Sequence, residues 1–298
     1  MQAKRVQIVE VSPRDGLQAE ERTLSTETKL ELLDRLADAG HSAIEATSFV
    51  SPGAVPQLAD ADDLMKRLRR RPGVRYPVLV PNERGLERAL AAGADEIAVF
   101  VSASESYSRK NLRRGREEAV VTALAVTATA KARGLRVRGY VSMVIADPDD
   151  GPTDPATVAG IGARLLDAGV DEVSLGDTIG VGTATHVRAV LAAQREAKIP
   201  VDRIAVHFHD TYGQGLANVL TAIELGVTIV DASIGGIGGS PFAKRASGNL
   251  ATEDVVWMLD GMGIATGVDV RKLAEATQWM AQQLGRELPG RAARALFA

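Results

Sequence analysis

The chain has 298 residues, a formal net charge of −3 and 24% charged residues, which is the composition of an ordinary globular protein. This charge predicts no binding to nucleic acid and no attraction to anionic membranes. The absence of cysteine excludes disulfides, thiolate metal ligands and cysteine catalysis. No apolar run approaches the ~20 residues of a membrane span, and no signal-like segment precedes the first strand, so we expect a cytoplasmic protein.

Short apolar runs alternate with helical segments along the chain. The predicted strands are Val6–Val11, Ala43–Thr47, Tyr76–Val80, Glu96–Val101, Val137–Ile145, Glu172–Leu175, Arg203–Phe208 and Thr228–Ser233. The predicted helices are Thr26–Ala39, Val55–Arg70, Glu83–Ala92, Arg116–Arg133, Pro155–Ala168, Ala184–Glu196, Gln214–Leu225, Thr252–Leu259 and Val270–Leu284. Ser25 is a plausible N-cap of the first helix, and Gly40, Gly93 and Gly169 lie where C′ glycines belong.

Eight strand–helix units in alternation favour a parallel sheet. At this length they predict an α/β protein with a (β/α)₈ TIM barrel, and an open doubly wound sheet is the alternative. We expect one barrel domain over residues 1–298. An additional C-terminal helix is expected within a helical appendage from about residue 270 to residue 298.

The strongest functional signal is the pair His207 and His209 at the end of the seventh predicted strand. Side chains alternate along a strand, so both imidazoles leave one face and Phe208 leaves the other. Two adjacent imidazoles make half of a metal site. On these two residues alone, satisfied histidines in a packed core are an equally supported interpretation.

Other polar residues collect at the strand ends, where TIM barrels carry their chemistry. Asp15 follows the first strand, and with the two histidines it offers one carboxylate and two imidazoles. Asn249 would complete a nitrogen and oxygen donor set that suits Mg²⁺ or Mn²⁺. The alternatives are a turn-forming role for Asp15 and a place beside a helix N-cap for Asn249.

Arg14 adjoins the predicted ligand Asp15, where a fixed guanidinium suits a developing oxyanion; a salt bridge that closes the barrel end is the alternative. The carboxylates of Glu45 and Asp177 are expected to face the same mouth of the barrel. Either could act as a base or could orient a ligand. The glycine-rich run 235–239 is typical of a mobile lid hinge rather than of a nucleotide site. The basic run 109–116 is interpreted as a solvated loop, with contact to substrate phosphates as the alternative.

Several stretches of the chain resemble 3-hydroxy-3-methylglutaryl-CoA lyases. They are residues 12–18 (SPRDGLQ), 48–52 (SFVSP), 174–183 (SLGDTIGVGT), 207–218 (HFHDTYGQGLAN), 238–243 (GGSPFA) and 246–254 (ASGNLATED). The resemblance covers nearly the whole chain in order. It implies a metal-dependent TIM-barrel lyase that cleaves 3-hydroxy-3-methylglutaryl-CoA, or a close 3-hydroxyacyl-CoA, to acetyl-CoA and a keto acid such as acetoacetate. It also implies an acyl-CoA partner and a homodimer.

The resemblance assigns roles residue by residue. The implied metal ligands are Asp15, His207, His209 and Asn249. The implied catalytic residues are Arg14, Asp15, Glu45, Asp177, His207 and Ser240. The implied substrate-binding residues are Arg14, Gln18, Thr178 and Ser240.

Ser240 departs from the family pattern, which has a cysteine in this glycine-rich loop. A hydroxyl is far less acidic than a thiol, whose reference pKa is ~8.5, so serine is a poorer proton donor. Met143, Asp147 and Phe208 also stand where family cysteines are expected. The alternatives are therefore another acyl group, such as citramalyl-CoA or a longer 3-alkylglutaryl-CoA, a condensing synthase of the same superfamily, or an inactive metal-binding paralogue.

Overall fold

The computed structural model describes residues 4–240 and 243–298, without the side chains of residues 239–247. The described strands are β1 (Gln7–Glu10), β2 (Ala43–Ile44), β3 (Thr47–Ser48), β4 (Val78–Leu79), β5 (Glu96–Ser102), β6 (Arg136–Ser142), β7 (Ala146–Asp147), β8 (Gly151–Pro152), β9 (Glu172–Asp177), β10 (Ile204–Phe208), β11 (Ile229–Ala232), β12 (Gly239–Ser240) and β13 (Ala243–Ser247). The described helices are α1 (Thr26–Asp38), α2 (Ala61–Arg67), α3 (Glu83–Ala91), α4 (Glu105–Leu112), α5 (Arg116–Ala132), α6 (Pro155–Asp167), α7 (Ala184–Glu196), α8 (Gly215–Glu224), α9 (Thr252–Gly261), α10 (Val270–Leu284) and α11 (Arg291–Leu296).

The main sheet is parallel and runs in the order β2-β1-β11-β10-β9-β6-β5-β4-β3. Its two edges, β2 and β3, are the halves of one predicted strand, which is interrupted at Glu45 and Ala46. Glu45 N donates to Glu10 O on one side at 2.8 Å, and Ala46 N donates to Pro77 O on the other at 2.9 Å. The interrupted strand thereby closes the sheet, and the predicted TIM barrel is confirmed.

The helix boundaries follow the sequence signals closely. Ser25 caps α1 by accepting a hydrogen bond from Thr28 N, and the three predicted C′ glycines have positive φ angles. The predicted C-terminal helix Val270–Leu284 is confirmed as α10, which packs on α1 with Arg35 over the ring of Trp279. None of the described helices is both long and apolar enough to cross a membrane.

Three elements differ from the prediction. The predicted helix Val55–Arg70 divides into a 3₁₀ turn, Pro56–Leu58, and α2, because Lys29 and Thr26 of α1 hold Asp60 between the two. The basic run 109–116, interpreted as a loop, begins within α4, a helix that starts where Ser104 accepts a hydrogen bond from Tyr107 N. The predicted strand Val137–Ile145 ends at Ser142, since Met143 has a φ of 57° that extended backbone does not allow.

Alternation along the strands separates the helix layer from the barrel interior. Phe208 faces the helix layer, where Leu175, Val187 and Val206 also lie. A separate apolar cluster on the other side of the strands comprises Val9, Val11, Ala43, Ala205 and Ile229. Because His207 and Asp231 each follow one of these positions by two residues, the polar groups lie nearer the C-terminal ends of the strands.

A π-helical turn, Ser12–Gly16, follows β1 and carries Arg14 and Asp15. Val11 O accepts hydrogen bonds from Asp15 N at 2.8 Å and from Gly16 N at 3.2 Å, which widens the turn. A Cβ atom at Gly16 would lie 2.7 Å from Ile237 Cγ1, and one at Gly238 would lie 2.5 Å from Asn249 Nδ2. The first and last loops of the barrel therefore meet where only glycine fits.

Two buried carboxylates anchor the loop that follows β11. Glu10 accepts hydrogen bonds from Ser12 N and Ile234 N, both at 3.0 Å, and thus joins this loop to the π-helical turn. Glu253 of α9 accepts from Gly235 N at 2.9 Å and from the hydroxyl of Thr277. Burial outweighs these hydrogen bonds and raises the pKa of both glutamates to about 7.

The raised pKa of Glu253 predicts a pH-dependent stability. The pKa of Glu253 is about 7 in the native chain, against an ordinary value of 4.5. Between these two pH values the native chain keeps a proton on Glu253 that the unfolded chain has released. The stability that this proton contributes at low pH is therefore lost as the pH rises from 4.5 through 7. Glu253→Gln cannot ionise. Its free energy of unfolding, relative to the natural chain, should rise between about pH 5 and pH 8, by at most about 1.4 kcal/mol per pH unit.

Urea unfolding at several pH values measures this difference. Glu87→Gln, at an exposed helical position, is the matched control and should run parallel to the natural chain at every pH. A Glu253→Gln curve that is also parallel would contradict the prediction.

Candidate functional site

His207, His209 and Asp15 converge inside the mouth of the barrel. Parallel pairing sets His207 opposite Asp231, and both imidazoles leave the same face of the chain, as predicted. The two histidine Nε2 atoms lie 3.3 Å apart, and His207 Nε2 lies 3.8 Å from Asp15 Oδ2. One ligand atom from each of the three residues lies within 4.8 Å of the other two, so they form a possible metal-binding triad.

The electrostatics of the triad favour cation binding. Burial and the charge of His207 lower the pKa of His209 to about 3, so this imidazole is neutral at physiological pH. Burial disfavours ionisation of Asp15, but the charge of Arg14 and the two neighbouring imidazoles outweigh it and lower the pKa of Asp15 to about 2. His209 Nδ1 is buried and has no hydrogen-bond partner. The available donors, a carboxylate and imidazole nitrogen, fit a divalent ion.

Asn249 lies in the site beside the triad. Its backbone forms an isolated antiparallel bridge with His209, and its Nδ2 donates to Asp15 Oδ2 at 2.9 Å and to Ile237 O at 3.1 Å. The amide nitrogen, rather than the oxygen, therefore faces Asp15. Coordination through Asn249 Oδ1 requires the two amide atoms to exchange places, and the predicted role as a fourth ligand stays a prediction.

Arg14 is buried and held on both sides. Its Nε donates to Glu45 Oε2 at 2.7 Å, and its Nη1 contacts Asp15 Oδ1 at 2.5 Å. The guanidinium lies over the ring of Tyr140, 5.2 Å from the centroid. The salt bridge and the position beside a predicted metal ligand therefore coexist, and Glu45 orients Arg14 while its own Oε1 is buried without a hydrogen-bond partner.

The structure adds buried polar residues that the sequence interpretation missed. Arg138 donates to the hydroxyl of Tyr140 at 2.9 Å and pairs with Asp231 at 2.5 Å, while Tyr140 donates to Glu45 at 3.2 Å. Asp231 in turn contacts His207 Nδ1 at 3.3 Å. An arginine and an aspartate inside otherwise apolar strands were the signal that could have revealed this network.

The other predicted site residues occupy different surroundings. Gln18 Nε2 donates to Asp15 Oδ1 at 3.0 Å and so belongs to the metal-binding region. Asp177 Oδ2 accepts from Gly182 N at 2.7 Å, and burial raises the pKa of Asp177. Thr178 Oγ1 accepts from Met143 N at 3.0 Å. Asp177 and Thr178 thus organise neighbouring loops, and their predicted roles stay predictions.

Two further predictions concern loops at the mouth. Ser240 belongs to β12, which pairs with β13 in a two-stranded antiparallel sheet, but its side chain lies outside the described part of the structure. In the basic segment, Arg109 pairs with Glu105 and Lys110 pairs with Asp149. These side chains are largely exposed, which favours the interpretation as a solvated segment.

The fold and the site together define a parallel (β/α)₈ barrel with a possible metal-binding triad of two histidines and one aspartate at the C-terminal ends of its strands. The chain belongs to the HMGL-like family, whose model matches residues 5–280. It is 50% identical over 292 residues to "Hydroxymethylglutaryl-CoA lyase, mitochondrial" from Rattus norvegicus, covering 98% of this chain and 90% of the rat protein.

Solved structures agree with this assignment. The HMG-CoA lyase of Bacillus subtilis superposes with a TM-score of 0.97 at 43% identity, over 100% of this chain and 99% of that one. An HMG-CoA lyase from Acinetobacter baumannii, in complex with coenzyme A and 3-methylmalate, superposes with a TM-score of 0.93 at 34% identity, over 98% and 95% of the two chains.

The triad predicts that removing one imidazole weakens metal binding. His209→Ala should lower the affinity for Mn²⁺ by at least about tenfold, because a neutral nitrogen donor is lost from a set of few ligands. Titration calorimetry, with Mn²⁺ electron paramagnetic resonance as a second readout, measures the change. His186→Ala replaces an exposed histidine of α7 and should bind Mn²⁺ like the natural chain. Equal affinity in both variants would exclude His209 as a ligand.

Proposed function

We propose that this chain is a divalent-metal-dependent carbon–carbon lyase that cleaves 3-hydroxy-3-methylglutaryl-CoA to acetyl-CoA and acetoacetate. The observation that carries the proposal is the position of Arg14, fixed by Glu45, directly beside the triad of Asp15, His207 and His209. The relatives of this chain that carry the name of such a lyase support the choice of substrate. Mg²⁺ or Mn²⁺ is the proposed ion, with Asn249 as a further ligand.

The ion, when bound by these residues, would polarise the 3-hydroxyl and acyl oxygens of the substrate and make the hydroxyl more acidic. Loss of the hydroxyl proton to a basic side chain allows the C2–C3 bond to break, which releases acetoacetate and leaves the enolate of acetyl-CoA. Arg14 is proposed to donate to this enolate oxygen, since Glu45 and Asp15 already hold its guanidinium in place. Protonation of the enolate carbon completes the reaction.

Asp177 is one proposed proton acceptor. Its Oδ2 is engaged by Gly182 N, whereas Oδ1 is buried without a hydrogen-bond partner. Burial raises the pKa of Asp177, which makes this carboxylate a stronger base than an exposed aspartate. His207 and Asp15 are the other groups proposed to take part in proton movement, and Gln18 and Thr178 are proposed to contact the substrate.

We also propose an acyl-CoA thioester as the bound substrate, which agrees with the coenzyme A complex of the Acinetobacter baumannii relative. A homodimer and a cytoplasmic location are proposed from the resemblance and the composition. Light scattering after gel filtration measures the first, and imaging of the tagged chain in its own cells measures the second.

A chelator and one substitution test the proposed chemistry. EDTA should abolish cleavage of 3-hydroxy-3-methylglutaryl-CoA, and added Mg²⁺ or Mn²⁺ should restore it. Arg14→Met should lower kcat by at least about 10²-fold, the order expected for losing one oxyanion donor, while Mn²⁺ affinity stays nearly unchanged. Acetyl-CoA release measures the rate, and Arg188→Met, at an exposed site of α7, is the control. Full activity in EDTA, or a loss of substrate affinity alone in Arg14→Met, would contradict the proposal.

Ser240 generates a separate prediction. Because a hydroxyl is a poor acid, the natural chain should turn over 3-hydroxy-3-methylglutaryl-CoA slowly, Ser240→Cys should raise kcat and Ser240→Ala should change it little. Steady-state kinetics at neutral pH measure these rates. Fast turnover by the natural chain together with inactivity of Ser240→Ala would show that the serine is a competent proton donor.

The same serine favours a second candidate substrate with a different acyl group, such as citramalyl-CoA or a longer 3-alkylglutaryl-CoA. In that case Ser240 binds the acyl group, and Ser240→Ala should raise KM for that substrate. A panel of CoA thioesters, assayed for acetyl-CoA release with Mg²⁺, separates the two substrates.

A further inference from the structure

Asp231 occupies a position inside the barrel for which the proposed chemistry gives no role. It lies on β11, directly opposite His207 in the parallel register, and it is almost completely buried. Its Oδ2 is 3.3 Å from His207 Nδ1 and accepts from Ser174 Oγ at 2.8 Å. Its Oδ1 accepts from Arg138 Nη2 at 2.5 Å. Both carboxylate oxygens of Asp231 are therefore engaged: Oδ2 contacts His207, a predicted metal ligand, and Oδ1 contacts Arg138, a buried cation.

Arg138 restricts the chemistry of the group that faces it. The guanidinium donates to Asp231 and to the hydroxyl of Tyr140, and its Nε lies 2.9 Å from Glu172 Oε1. A guanidinium offers donors and no acceptor. For a carboxylate or an amide side chain at position 231, the atom that faces Arg138 must therefore be an acceptor. This requirement fixes the orientation of the carboxylate or amide group.

The same geometry decides the tautomer of His207. A carboxylate is an acceptor at both oxygens, so the contact between Asp231 Oδ2 and His207 Nδ1 requires the proton on Nδ1. His207 Nε2 then carries a lone pair, which is directed toward His209 Nε2 at 3.3 Å and Asp15 Oδ2 at 3.8 Å. In this tautomer, His207 Nε2 offers a lone pair to the space that it shares with ligand atoms of Asp15 and His209.

We propose that Asp231 is a positioning residue that sets the His207 tautomer and ring orientation for metal binding, with Arg138 as the cation that orients Asp231. This inference rests on the proposed metal site. It assigns to Asp231 a role beyond charge compensation, because balancing Arg138 alone would require no particular contact with His207. Carboxylate partners of this kind orient metal-bound histidines in many proteins, and their loss costs about 10- to 100-fold in metal affinity.

The substitution Asp231→Asn tests this role, because it should change the tautomer of His207 and lower the affinity for Mn²⁺. The amide oxygen must face Arg138, so the amide NH₂ must face Ser174 and His207. The hydrogen bond then reverses: His207 Nδ1 becomes the acceptor, and its proton moves to Nε2, where it blocks metal binding. In the metal-free variant at pH 8.5, we expect ¹⁵N spectra to show Nε2 of His207 as the protonated ring nitrogen and Nδ1 as the unprotonated one. We expect the affinity for Mn²⁺ to fall about 10- to 100-fold.

Two matched variants separate positioning from charge balance. Glu172→Gln also removes a buried carboxylate beside Arg138 but does not contact His207, and Ser174→Ala removes a hydrogen bond to Asp231 while the carboxylate stays. Both should keep the natural tautomer and a Mn²⁺ affinity within about threefold of the natural chain. An equal loss of affinity in Glu172→Gln and Asp231→Asn would overturn the inference in favour of charge balance.

If Asp231→Asn does not fold, the same nitrogen spectrum of the natural chain tests the inference. Its His207 should show a protonated Nδ1 and an unprotonated Nε2 in the same nitrogen spectrum, and the opposite tautomer would overturn the inference. A failure of the proposed function gives a different result from a failure of this inference. If the natural chain shows this tautomer but binds no Mn²⁺, the proposed metal site is wrong, while the hydrogen bond between Asp231 and His207 stands.

Discussion

The ion pair between Arg138 and Asp231 is the interaction on which the interior of this barrel depends. An isolated charge in such surroundings is very costly, so a buried guanidinium requires acceptors on every accessible side. Here Asp231 and the hydroxyl of Tyr140 accept hydrogen bonds from the guanidinium, and the carboxylate of Glu172 forms an ion pair with it; all three residues lie on strands. Removing one partner of such a buried pair typically costs about 3–5 kcal/mol, which exceeds the contribution of any exposed ion pair on the helices. The same residues that satisfy this cation also hold the groups at the mouth of the barrel.

Two branches leave this central cation. One passes through Asp231 to His207 and the metal-binding triad, and the other passes through Tyr140 to Glu45 and Arg14. Arg14 returns to the triad through its ion pair with Asp15, and Asp15 Oδ2 lies 3.8 Å from His207 Nε2, so the hydrogen bonds, the ion pairs and this short approach form a closed circuit. Because each member contacts two neighbours, the arginine proposed to bind the oxyanion and the proposed metal ligands are held in one relative geometry. This is the preorganisation that electrostatic catalysis requires, since polar groups that are already oriented need not reorganise during the reaction.

The sequence allowed the barrel and half of this circuit to be predicted. Alternating strands and helices indicated the fold, and the spacing of His207 and His209 indicated a shared face, because both signals are periodic and local. The interruption of the second strand at Glu45 was missed, since it depends on hydrogen bonds to Glu10 and Pro77, which belong to the neighbouring segments on its two sides. Arg138 and Asp231 were missed for a related reason: a charge within an apolar strand has meaning only when its partner, 93 positions away along the chain, is known. Long-range pairing of this kind leaves no periodic pattern in a single sequence.

The contact between Gly16 and Gly238 has a consequence for how the family of such sequences can vary. A side chain at either position would strike Ile237 or the amide of Asn249, and the amide is already bonded to Asp15. One added methyl group therefore disturbs the possible metal-binding triad directly, because Gly16 is the next residue in the chain after Asp15 and a Cβ at Gly238 would lie 3.4 Å from Asp15 O. Gly53 and Gly160, by contrast, have open space where a Cβ would lie. Mutational tolerance in this molecule thus follows steric distance from the site rather than chemical participation in it, and two residues with no side chain belong among its least replaceable positions.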